Sequence, residues 1–183
     1  PIILSLMLTS LAIGTIITMS STHWLIAWAG LELNTLSIIP IIAKHHHPRA
    51  TEATTKYFLT QAAASAMLLF SSIVNAWHTG TWDITQLSNQ PASIMLTMAL
   101  SMKLGLAPLH FWLPEVLQGT SLSTALIITT WQKLAPMALM FLTHNSLNPS
   151  TLMMMGLLST MVGGWGGLNQ TQTRKIMAFS SIA

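Results

Sequence analysis

Three charged residues stand alone inside long apolar segments: Glu32, Lys103 and Lys133. Charged residues make up 6% of this 183-residue chain, against roughly 25% in an ordinary soluble domain. An ionisable side chain at the bilayer centre costs on the order of 3 kcal/mol on insertion scales. Three of them in lipid-soluble surroundings therefore point to an ion or proton path. A carboxyl and an amine that both lack water can exchange a proton, which makes Glu32 and Lys103 a candidate pair. The competing reading is a static Glu–Lys pair that locks two helices. A second lysine, Lys133, fits that reading poorly.

Prolines add a second signal. Pro108 removes the backbone hydrogen bond to Leu104, beside Lys103, and Pro136 removes the one to Gln132, beside Lys133. Pro40 frees Leu36, one turn past Glu32. A carbonyl freed inside a membrane helix needs water or a side chain, and broken helices mark ion sites in transporters. For any one proline a plain kink is the simpler reading; two breaks beside two buried lysines call for more. His110 lies beyond the Pro108 break, where it can relay protons or simply sit at the helix break bonded to backbone. Gln132, Thr129 and Thr130 surround Lys133 and can hold water or serve helix packing.

Other motifs carry less. Consecutive His45, His46 and His47 cannot easily face one ion, and no carboxylate precedes them, so they read as a surface loop rather than a metal site. Glu52 and Lys56 are spaced as an i,i+4 surface pair. Gly163-Gly164-Trp165-Gly166-Gly167 follows no strand, so it reads as close helix packing or a flexible helix end, not a nucleotide loop. The chain has no cysteine, which excludes disulfides, thiolate metal sites and a Cys nucleophile. The net charge of +3 is split between loops and membrane, which speaks against nucleic acid.

The elements that position these residues are membrane helices. Hydrophobic residues are 51% of the chain and the mean hydropathy is +0.59. Apolar runs of about 20 residues recur, enough to cross a hydrocarbon core of about 30 Å. Spans are expected at about 2–19, 23–43, 53–77, 92–113, 121–143 and 151–168, with a seventh after the loop 169–175. Glu32, Lys103 and Lys133 fall inside the second, fourth and fifth. The runs do not alternate, so strands and a barrel are not expected. The first run lacks a basic flank and a cleavage site, so it reads as a span rather than a signal peptide. The chain starts without Met and stops inside an apolar run, which reads as a piece of a longer polypeptide. Lys44, Arg49, Lys56, Arg174 and Lys175 fall on one side, while the loops 20–22, 78–91 and 144–150 hold no Lys or Arg. By the positive-inside rule the basic loops face the negatively charged side, with Glu115 among them.

The run from Lys103-Leu104-Gly105-Leu106-Ala107-Pro108-Leu109-His110-Phe111-Trp112-Leu113-Pro114-Glu115 to Gly119, followed by Trp131-Gln132-Lys133-Leu134-Ala135-Pro136, resembles the antiporter-like membrane subunits of respiratory complex I. Trp28-Ala29-Gly30-Leu31-Glu32-Leu33-Asn34, the stretch His45 to Leu59, and Gly163 to Lys175 strengthen the resemblance, which covers essentially the whole chain.

The resemblance implies an all-α polytopic bundle of inverted five-helix repeats. Residues 1–143 would form the first repeat and 151–183 the start of the second, short of the family's charged exit residue. It implies a mitochondrial inner-membrane subunit with loops 44–56 and 169–175 on the matrix side. Its partners would be neighbouring membrane-arm subunits and the lipid bilayer. It implies proton pumping coupled to electron transfer from NADH to ubiquinone. The complex would use NADH, FMN, iron–sulfur clusters and ubiquinone, none of them bound by this chain. Glu32, Lys103 and Lys133 match the family's proton path. Two rivals remain: a stand-alone cation/proton antiporter, and a structural subunit with its charges locked in static pairs.

Overall fold

The structure is a computed structural model that describes residues 2–107 and 109–183, without the side chain of His45. The helix break expected at Pro108 lies outside the described residues.

Among the described residues nine α-helices follow one another: α1 (Ile2–Ser20), α2 (Trp24–Ile42), α3 (Pro48–Thr79), α4 (Gln90–Leu104), α5 (Trp112–Gln118), α6 (Leu122–Thr130), α7 (Leu134–Leu142), α8 (Pro149–Leu168) and α9 (Thr173–Ile182). Short 3₁₀ turns lie at Ala43–His45 and Trp131–Lys133. Among the described residues there is no β-strand, only one isolated bridge between His23 and Asp83. Among the described residues five stretches are long and apolar enough to cross a membrane: α1, α2, α3, the Leu122–Leu142 stretch and α8. The chain is a multi-pass membrane protein.

Local chemistry sets the helix ends. His23 caps α2, its Nδ1 accepting from the Leu25 amide at 3.1 Å. His47 caps α3 in the same way through the Arg49 amide at 3.2 Å, and Pro48 takes the first turn, where its missing N–H costs nothing. Gly80 closes α3 with φ 73°, in the left-handed region that side chains disfavour. α3 has 32 residues, about 48 Å at 1.5 Å each. It overshoots the hydrocarbon core, and its surplus first turns carry Glu52 and Lys56.

Helices α1 and α2 meet at two glycines. A Cβ on Gly14 would lie 2.5 Å from Asn34 Oδ1, and one on Gly30 would lie 2.9 Å from the Gly14 carbonyl oxygen. Only hydrogen lets the backbones come this close. The Gly163–Gly167 run does the same for α8 and α9. It stays helical, and a Cβ on Gly166 would lie 2.5 Å from the Phe179 ring, which settles it as a close-packing motif.

The apolar core is split in two. One cluster joins Leu11, Ile38, Ile42, Tyr57, Leu113 and Leu117 with neighbours from α6 and α9. The other joins Trp24, Leu31, Leu68, Leu96, Leu100 and Leu139 with the loop residues Ile84, Leu87 and Leu147. The first lies toward the end where the basic loops gather. There Lys56 pairs with Glu52 at 2.7 Å and with Glu115 at 3.0 Å. Gln118 Nε2 donates to Gln172 at 2.8 Å. The loops without Lys or Arg gather at the other end: Trp24 N donates to Trp82 O at 3.1 Å, and Ser93 Oγ to Ser146 O at 2.9 Å.

One expectation needs correction. The span expected at 92–113 is not continuous. α4 ends at Leu104, Gly105 caps it with φ 76°, and helix resumes only at Trp112. Lys103 therefore sits in the last turn of a helix, not at its middle. The span expected at 121–143 is met by the Leu122–Leu142 stretch, whose winding tightens to a 3₁₀ turn at Lys133. Pro136 has no N–H for the Gln132 carbonyl and crowds the turn before it, which favours the tighter winding. α2, by contrast, runs unbroken through Pro40.

Candidate functional site

The two breaks face each other. Lys103, on the last turn of α4, and Lys133, on the 3₁₀ turn before α7, line one interior cavity. Its wall also includes Asn34 and Thr35 of α2, Tyr57 and Gln61 of α3, Trp112 of α5 and Gln132. About 10 Å³ is open to the centre of a water-sized sphere, which is room for about one molecule.

This cavity belongs to a polar layer between the two apolar clusters. Along α2, Asn34 and Thr35 lie between Leu31 of one cluster and Ile38 of the other. Along α3, Gln61 lies between Tyr57 and Leu68; in the broken segments, Lys103 lies between Leu100 and Trp112, and Lys133 between Ile128 and Ala135. Polar side chains at this depth, capped above and below by hydrocarbon, favour movement of charge within the layer over movement through the ends.

Lys103 is 5% exposed. Glu32, the carboxylate read with it from the sequence, lies on α2. The two are not in contact: among the described residues, ion pairs within 4.0 Å are Lys56–Glu52 and Lys56–Glu115. Glu32 Oε1 is buried with no protein partner, as are the indole N–H groups of Trp24 and Trp28 on the same helix. Lys133 Nζ donates to the Ser181 carbonyl at 2.7 Å and to the Ser181 hydroxyl, which ties the break to α9. His110 is buried at the helix break, stacked on Phe111 with ring centroids 4.4 Å apart, and its Nδ1 has no protein partner. It does not line the shared cavity. The structure thus brings Lys103 and Lys133 to one cavity, which neither Glu32 nor His110 lines. Among the described residues no group of three His, Asp or Glu side chains is placed to hold a metal ion.

Several residues of the site were not singled out from the sequence. Trp112 Nε1 donates to the Met102 carbonyl at 2.9 Å, satisfying an end group of α4. The Ala107 amide donates to Ser159 Oγ at 3.0 Å, so α8 anchors the loop between Lys103 and His110. Tyr57 donates to Gln132 Oε1 at 3.4 Å. Tyr57 is the one tyrosine in the chain and Gln61 a lone amide in an apolar stretch, which are weak signals. Nothing in the sequence marks Ser159.

Residues 21–183 match the family described as NADH:quinone oxidoreductase/Mrp antiporter, transmembrane. The chain belongs to this family. NADH-ubiquinone oxidoreductase chain 2 of Salmo salar is 64% identical over 183 residues, which is 100% of this chain and 52% of that protein. The protein of the same name in Varanus melinus is 65% identical, over 100% of this chain and 53% of its own length. The chain spans about half the length of these curated relatives. Among solved structures, a respiratory complex I from Thermus thermophilus holds a chain 29% identical, with a TM-score of 0.93 over 100% of this chain and 43% of that one. A chain of an Mrp complex from Dietzia shares the fold at 15% identity, with a TM-score of 0.89 over 96% of this chain and 36% of that one. The all-α bundle expected from the sequence is therefore that of the antiporter-like family.

Proposed function

We propose that this chain is a proton-translocating membrane subunit of respiratory complex I, NADH:ubiquinone reductase. The observation that carries the reading is the pairing of Lys103 and Lys133 on one cavity at two helix breaks. The names of its relatives agree with it.

The mechanism follows from the layer. Glu32 biases the protonation of Lys103 through charge, without direct contact. A change in their separation releases that bias. Lys103 then gives its proton to neutral Lys133, and when Lys103 takes up another proton, repulsion between the two ammonium groups drives the one on Lys133 onward. The apolar clusters on either side keep the proton in the layer. His110, with an unpartnered ring nitrogen at the break, is assigned as a relay on the side away from the cavity.

The chain itself is assigned no redox group. NADH, FMN, iron–sulfur clusters and ubiquinone belong to the rest of the complex. Its neighbours would be other antiporter-like and small membrane-arm subunits in the mitochondrial inner membrane. Loops 44–56 and 169–175 would face the matrix. Residues 1–143 form the first inverted repeat and 151–183 open the second. The test is Lys103→Met in the intact complex, reading protons pumped per electron in proteoliposomes. A loss is expected. Unchanged stoichiometry sinks the proposal, and cation transport by the isolated chain would make a stand-alone antiporter the better account.

A further inference from the structure

Two buried amide nitrogens in the layer lack partners. Gln61 Nε2 and Gln132 Nε2 are both shielded from solvent and make no hydrogen bond to protein. Both side chains line the cavity shared by Lys103 and Lys133. Gln61 is only 4% exposed, and leaving such a donor unpaired costs about 1–3 kcal/mol. Two orphaned donors beside one water-sized space are not explained by packing, since an apolar side chain of the same shape would avoid the cost.

We infer that Gln61 and Gln132 are positioning residues for a single water that carries the proton between Lys103 and Lys133, with Tyr57 setting the orientation of Gln132. This rests on the proton-path reading above. The chemistry balances. At rest the water accepts from both amides and offers one O–H to the amine of Lys133; when the ammonium of Lys103 approaches, one amide N–H gives up its lone pair to it. Lys103 gives a proton to the water, and the water gives its other proton to Lys133. Lys103 ends neutral, Lys133 ends as the ammonium, and the water is unchanged. Lys133 is arranged to receive it. Two N–H groups of a neutral amine are accounted for by the Ser181 carbonyl and hydroxyl, which leaves the lone pair for the cavity. Tyr57 fixes the amide: its hydroxyl donates to Gln132 Oε1, so Oε1 is turned toward α3 and Nε2 is the group left free. The Tyr57 ring is itself held edge-on against Trp112, with centroids 5.8 Å apart.

The experiment uses the whole complex in proteoliposomes, with Gln61→Met, Gln132→Met, Tyr57→Phe and Lys103→Met compared by proton pumping and solvent deuterium isotope effect. Methionine keeps shape and volume and removes the N–H donors. Both glutamine variants are expected to assemble, to slow coupled turnover about tenfold, as misplaced reacting groups do, and to raise the isotope effect. Tyr57→Phe is expected to do the same to a smaller degree, and it is the variant read if methionine lowers the amount of complex. Wild-type turnover and isotope effect in these variants, alongside lost pumping in Lys103→Met, overturn the positioning role while leaving the proton path standing. Loss of assembled complex in all three overturns it as well, in favour of a structural role. Normal pumping by Lys103→Met removes the proton path and this role with it.

Discussion

Replacing Ser159 by alanine tests whether α8 holds the break beside Lys103. Ser159 Oγ accepts from the Ala107 amide at 3.0 Å while donating to the Met155 carbonyl of its own helix at 2.7 Å. Both residues are buried, so no solvent can replace the lost acceptor. The Ala107 N–H is left unpaired, at a cost of about 1–3 kcal/mol. Met155 loses only a second donor to a carbonyl that belongs to a continuous helix, a minor change. The cost therefore falls on the turn that holds Ala107, between α4 and α5. It raises the equilibrium for local opening by a factor of about 5 to 150. Hydrogen–deuterium exchange of the assembled complex, followed at the Ala107 amide by mass spectrometry, reads that factor directly. Thr160→Ala is the control, because the Thr160 hydroxyl is exposed and bonds only to Leu157 O of its own helix. Exchange at Ala107 that changes by less than about twofold in an intact Ser159→Ala complex would refute the idea that this single bond anchors the loop.

Two further outcomes follow from packing and charge. Gly30→Ala should lower complex stability by about 1–3 kcal/mol, because its Cβ would meet Thr18 Oγ1 and the Gly14 carbonyl; Gly156→Ala, which meets nothing within 4 Å, should leave the melting temperature unchanged, and equal effects of the two would contradict the close approach of α1 and α2. Glu115→Gln removes one of two carboxylates from Lys56. It should lower the melting temperature slightly at low salt and not at high salt, and a loss that persists at high salt would show that Glu115 acts through packing rather than charge.

Much of the site was legible because membrane chemistry makes charge expensive. In a chain with so few charged residues, Glu32, Lys103 and Lys133 announce themselves, and seven helical segments can be read from runs of hydrophobic residues. The basic loops were legible for the same reason, and the Lys56–Glu115 contact places two of those residues at one end. The Gly163–Gly167 motif was narrowed to packing or flexibility, and the Phe179 ring decided between them. The extent of the breaks was not legible. Residues 105–111 are as apolar as a helix, and although Pro108 marks a break, it does not say where α4 stops and α5 starts. Glu32 and Lys103 read as a pair in sequence, yet no ion pair within 4.0 Å joins them.

Local forces, then, determined the helices, their caps and the identity of the charged residues, because hydropathy, proline and glycine act over a few neighbouring residues. Only the tertiary structure decided which polar groups share a layer. Asn34, Gln61, Lys103 and Lys133 come from four different helical segments, and they meet because two apolar clusters pack above and below them. Side chains that cannot join either cluster are left with each other, and that exclusion, summed over the whole bundle, is not visible along any one helix.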